Sequence, residues 1–114
     1  MEEAIEGYDE ATKTFYVAKT LTASTPQSAL VVYVPATAKM VSIDVAVSGT
    51  GNLFSIYVTN STYAEAQADD SSVLWHPTVH TEQTESLFAT KSACAGAYMI
   101  MFASGTGIVK VRAK

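Results

Sequence analysis

The stretch from Val41 to Val47 constrains this chain more than any other. Val41, Ile43, Val45 and Val47 alternate with Ser42, Asp44 and Ala46, the period of two that places one face of a strand in a core and the other in water. Ser48-Gly49-Thr50-Gly51 follows, and glycines there can take the positive φ that tight hairpin turns demand. From Leu53 to Thr59 the alternation resumes, with Phe54, Ile56 and Val58 on one face and Ser55, Tyr57 and Thr59 on the other. The segment predicts a β-hairpin.

The same device returns near the end of the chain. Ala97 to Ala103 is followed by Ser104-Gly105-Thr106-Gly107 and then by Ile108 to Ala113. This predicts a second hairpin, and the shared turn sequence suggests two comparable β units packed face to face. Ala97, Met99, Met101 and Ala103 face one way and Tyr98, Ile100 and Phe102 the other. Both faces are apolar, so this strand is expected to be central or covered on both sides. Two further strands are expected over Thr12 to Ala18 and Gln27 to Val34, the second framed by Pro26 and Pro35. The stretch from Ser61 to Ser92 is polar, with a short helix expected over Tyr63 to Ala68 and a short strand over Val73 to Trp75. Asn60-Ser61-Thr62 fits a glycosylation sequon and is expected to be a polar turn.

Composition agrees with a β fold. Fourteen Thr, twelve Val, ten Tyr plus Phe and one Arg in 114 residues favour strands over helices. A hydrophobic fraction of 48% with 16% charged residues belongs to a folded chain, and the length to one domain. The expected fold is all-β: a compact antiparallel β-sandwich, jelly-roll-like or Ig-like, over residues 12–114. An acidic, extended N-terminal arm over residues 1–11 precedes it. That arm carries Glu2, Glu3, Glu6, Asp9 and Glu10 without a cation, whereas the C-terminal strand carries Lys110, Arg112 and Lys114. Three cations on one strand are too few for a nucleic-acid footprint, and none is expected to bind. Neither a secretion signal nor an apolar run of membrane-span length stands out, so synthesis in a cytoplasm and no membrane partner are expected. With few charged gatekeepers, the sheet edges and faces are expected to meet copies of the same chain, giving a homo-oligomer.

No catalytic constellation emerges, and no enzyme activity is expected. His76 and His80 are four apart but Pro77 intervenes, which breaks the helical spacing of a metal pair. They are expected to be exposed loop histidines, with no metal bound. Asp69-Asp70 lacks the alternating oxygen ligands and glycine of a calcium loop. Glu65, Asp69, Asp70, Glu82 and Glu85 crowd the polar middle without a pattern that marks an acid pair. The two Gly-x-Gly turns lack the third glycine and following helix of a dinucleotide site, so no cofactor is expected. Cys94, among small apolar residues, reads as an inert buried side chain. Trp75 admits two readings, an anchor of the core or an exposed platform for a sugar ring, with the core reading preferred.

About half the chain resembles small virion proteins of tailed bacteriophages. The resemblance runs from Tyr57-Val58-Thr59-Asn60-Ser61, through the Ala- and acid-rich Ala64 to Asp70, the lone Trp75 and the Thr-rich Thr78 to Thr84, to Met99–Val111 closing around Ser-Gly-Thr-Gly. It implies a virion structural protein, foremost a capsid decoration (cement) subunit that binds and stabilises the major capsid lattice by adhesion. The alternative is a tail or spike module that recognises host glycans through Trp75. On this reading the partners are the major capsid protein or neighbouring virion subunits and further copies of the chain, with a trimer favoured. The residues expected to touch a partner are Ile5, Tyr8, Phe15 and Tyr16, in and beside the arm.

Overall fold

A computed structural model describes residues 2–4, 8–9, 14–34, 38–68, 71, 73–92 and 95–114. Ile5, Asp69, Asp70 and Cys94 lie outside the described residues. Among the described residues ten strands and one helix follow in order: β1 (Glu2–Ala4), β2 (Tyr8–Asp9), β3 (Thr14–Thr22), β4 (Ala29–Tyr33), β5 (Met40–Val47), β6 (Leu53–Thr59), α1 (Tyr63–Ala68), β7 (His76–Pro77), β8 (Leu87–Ser92), β9 (Ala97–Ser104) and β10 (Thr106–Ala113).

Two sheets result. One has the order β1-β4-β9-β6-β7 and the other β2-β3-β10-β5-β8. Every neighbouring pair is antiparallel except β1 with β4. Four antiparallel strands thus form the body of each sheet, and the short N-terminal segments β1 and β2 add to the outer strand of each. The alternation in β5 and β10 becomes alternating burial, with Val41, Ile43, Val45, Val109, Val111 and Ala113 facing inward. These meet Leu30, Val32, Phe54, Ile56, Ile100 and Phe102 of the opposite sheet in one shared core. At its heart Phe54 and Phe102 stack with ring centroids 5.3 Å apart.

Neither expected hairpin forms. β5 and β6 lie in opposite sheets, as do β9 and β10, so each Ser-Gly-Thr-Gly segment is a corner that carries the chain across the sandwich. The physical reason is that period-two alternation records which face is buried and leaves the hydrogen-bonding partner open; an arch buries the same positions as a hairpin. The two arches stack on one another. β5 pairs with β10 and β6 with β9, both antiparallel, with Val47 opposite Gly107 and Leu53 opposite Ser104. Both corners therefore sit side by side at one end, where Asn52, only 6% exposed, joins them. Its Nδ2 donates to the Ser48 carbonyl at 3.0 Å, and its Oδ1 accepts from the Thr106 N–H at 3.3 Å. The Ser104 hydroxyl completes the seam by donating to the Gly51 carbonyl at 2.6 Å.

β9 is central, between β4 and β6, and covered on both sides as its two apolar faces require. Its outward residues Ala97 and Met99, with Ala29, Val31 and Tyr33 of β4, form a second buried cluster beneath Ala66 of α1. The helix spans the expected residues and starts with a capping box. Glu65 N–H donates to Thr62 Oγ1 at 3.2 Å, and Thr62 N–H to Glu65 Oε1 at 3.1 Å. Val73 to Trp75 is not a strand; pairing falls on His76–Pro77, against Tyr57 and Val58. Val73 and Trp75 instead pack over the second cluster, where tertiary burial outweighs local β-propensity.

Candidate interaction surface

The two sheets differ in what lies outside them. The β4-β9-β6 face is roofed by α1 and by Val73 and Trp75, whereas the β3-β10-β5-β8 face carries side chains that stand in the open. On this open sheet the outward positions are the polar half of each alternation, with large apolar groups among them: Phe88 is 67% exposed, Met40 55% and Ile108 47%. Three large apolar side chains thus stand on the exposed side of this sheet, each on a different strand.

Charge is concentrated in the middle of that face. Lys110 on β10 lies in register with Asp44 on β5, and Asp44 in turn with Phe88 on β8. Arg112, one pleat along, sits 4.9 Å from the Tyr16 ring centroid in a cation–π contact and faces Ser42, whose hydroxyl donates to the Arg112 carbonyl at 3.5 Å. Tyr16, Asp44, Phe88, Lys110 and Arg112 together border an open depression of about 260 Å³. Chemically, the depression offers groups for salt bridges and for apolar contact.

Two lysines outside the residues expected to act, Lys19 and Lys91, also belong to this sheet. Lys91 shares the inward alternation of Leu87 and Ala89 on β8 and pairs with the buried Val41. Burial lowers its pKa from the ordinary lysine value. Lys19 shares the inward alternation of Phe15, Val17 and Leu21 on β3 and pairs with the buried Val109. The two strands flank β10 and β5, so each carries a lysine on its inner face; on β8, the outermost strand of this sheet, such an inward charge opposes strand addition. The signal was legible in LFATKS and TFYVAKTLT as a cation occupying an apolar alternation.

Of the described residues named from the sequence, Tyr8, Phe15 and Tyr16 fall side by side on β2 and β3, and Trp75 lies apart from them. Phe15 is 1% exposed and committed to the core, while Tyr16 faces outward beside Arg112. The backbone of Tyr8 pairs with Phe15 across β2 and β3. Trp75 is half-buried on the other side of the molecule, over the second cluster, with Leu74 and His76 exposed beside it. Leu74 and His76 line a separate open depression of about 350 Å³ with Asn60 and Ser61. His80 is partly buried, and its carbonyl accepts from the Ile56 N–H at 2.9 Å. Burial first, and the Lys91 charge second, hold its pKa below the ordinary histidine value. A third depression, of about 620 Å³, lies at the corner end among Thr20, Val47, Asn52 and Ile108. Among the described residues no group of three or more His, Cys, Asp or Glu is placed to hold a metal ion. No helix among them is long and apolar enough to cross a membrane.

These features define a two-sheet β-sandwich with one roofed and one open face. In structure the chain is similar to the SPBc2 prophage-derived protein YomS, with a TM-score of 0.52 at 13% sequence identity, covering 88% of this chain and 93% of that one. At this identity the likeness is one of fold. No protein-family model matches the chain, and no curated protein does.

Proposed function

We propose that this protein is a bacteriophage virion structural protein, a capsid decoration subunit that acts by adhesion within the particle and self-associates there. The observation that carries this reading is the open face of the β3-β10-β5-β8 sheet, where Phe88, Ile108 and Met40 stand exposed among charged groups while the opposite sheet is roofed by the chain's own helix. Two further observations support it. The order β3-β10-β5-β8 facing β4-β9-β6-β7 accords with jelly-roll winding, an arrangement found in viral capsid and lectin domains. The fold is also similar to that of a prophage-derived protein.

In this reading the rigid sandwich presents a preformed surface, so little ordering cost opposes binding. The partners are the major capsid protein or neighbouring virion subunits, and the protein resides in the virion. The test is sedimentation of phage particles from a lysate of cells carrying the gene: the protein is expected to band with intact particles and to dissociate from them at high salt. Recovery of the chain only in the particle-free fraction would overturn the reading. A tail or spike module that binds glycans is the second reading, favoured by the depression beside Leu74 and His76. It requires glycan-array binding that disappears in Trp75→Ala.

A further inference from the structure

We infer that the open sheet face is self-complementary and docks a second copy of this chain across a two-fold axis lying between β5 and β10. The inference rests on the reading of this face as a contact surface and adds the identity of its occupant.

β10 and β5 are the middle strands of the four-strand body, and they pair residue for residue along their length. A two-fold axis in the plane of the interface, parallel to these strands and midway between them, sets each outward residue of β10 above its register partner on β5 of the other copy. The pairs so formed match. Lys110 lies over the second copy's Asp44, and by symmetry Asp44 over its Lys110, giving two opposite-charge contacts. Ile108 lies over Ala46, a large exposed side chain over a small one.

One strand further out the same operation sets Phe88 over Ala18. Phe88 is the register partner of Asp44 on β8, and Ala18 that of Lys110 on β3. The exposed ring thus meets a methyl group, leaving room for both. Packed sheets keep their strands within about 30° of one another, so the match is closest at the central Lys110–Asp44 row and loosens outward.

On β8, the outermost strand of this sheet, the inward Lys91 opposes joining copies at that edge. Four strands about 4.8 Å apart and about seven residues long outline a face of roughly 450 Å² in projection. That is below the roughly 800 Å² per partner of a standard interface and in the range of weak, transient contacts. The expected product is a reversible dimer, in place of the trimer favoured by the sequence resemblance.

Sedimentation velocity of the purified full chain over a concentration series tests this in the absence of any particle. The wild type is expected to pass from monomer to dimer. Lys110→Glu and Asp44→Lys are each expected to weaken dimerisation by roughly tenfold or more, since each sets like charges face to face twice. The double variant K110E/D44K is expected to restore dimerisation, and Ala46→Arg to abolish it sterically. Far-UV circular dichroism confirms that each variant folds. A wild type that stays monomeric up to ~1 mM overturns the proposal. So does a dimer indifferent to both reversals and to Ala46→Arg, or one lost only on removing residues 1–11. If the solution dimer is absent while the protein still bands with particles, this inference fails and the virion reading stands.

Discussion

At the scale of single residues, the two corners differ in how tightly they are held. Gly49 and Gly105 both have positive φ, 77° and 82°. A side chain at 49 would meet open space, whereas a Cβ at 105 would collide with Asn52 Oδ1 and press on the Asn52 backbone. Gly49→Ala is therefore expected to cost only the left-handed backbone strain, about 1–2 kcal/mol. Gly105→Ala is expected to cost clearly more, because it also displaces the amide that bridges Ser48 and Thr106. Urea denaturation of the two variants checks this; equal losses would mean that the Asn52 seam contributes little. The positive φ was legible in the glycines themselves. The buried amide was not, because its partner Thr106 lies in the other corner, 54 residues away in sequence.

At the scale of elements, the alternation in β5, β9 and β10 and the extent of α1 could be read directly, since burial pattern and helix composition are local properties. The pairing of strands could not. A Gly-rich connection of a few residues serves equally to reverse a strand within a sheet or to cross between sheets, and only the completed core selects the crossing. The same limit hid the role of Lys91, whose position in an apolar alternation is visible but whose place on a flanking strand is not. Lys91→Val removes that partly desolvated ammonium. The variant is expected to keep or raise its thermal midpoint yet scatter more light on standing at 37 °C, as a bare apolar strand recruits others. Clear solutions at matched concentration would show that this edge is guarded by other means.

At the scale of the whole molecule, both sheets contribute to one core, and the outer layer of α1, Val73 and Trp75 rests on strands whose other face lines that core. Phe102→Ala removes one ring of the central stack and is expected to cost about 3–5 kcal/mol. Unfolding of the variant is expected to remain a single transition, with Trp75 fluorescence and far-UV circular dichroism coincident, because the layer under Trp75 cannot persist without β9. A fluorescence change preceding the dichroism would make that layer a separate cooperative unit.

The amino-acid sequence by itself determined that this is a β protein, which residues face inward on its clearest strands, where its helix lies and where the chain turns. These follow from interactions among residues a few positions apart. Only the tertiary structure decided that both turns cross between sheets, that Asn52 locks them together, that Trp75 roofs one face and that the other face stands open. Those outcomes depend on which strands pair, and pairing is settled by the burial of all the strands at once in one shared core.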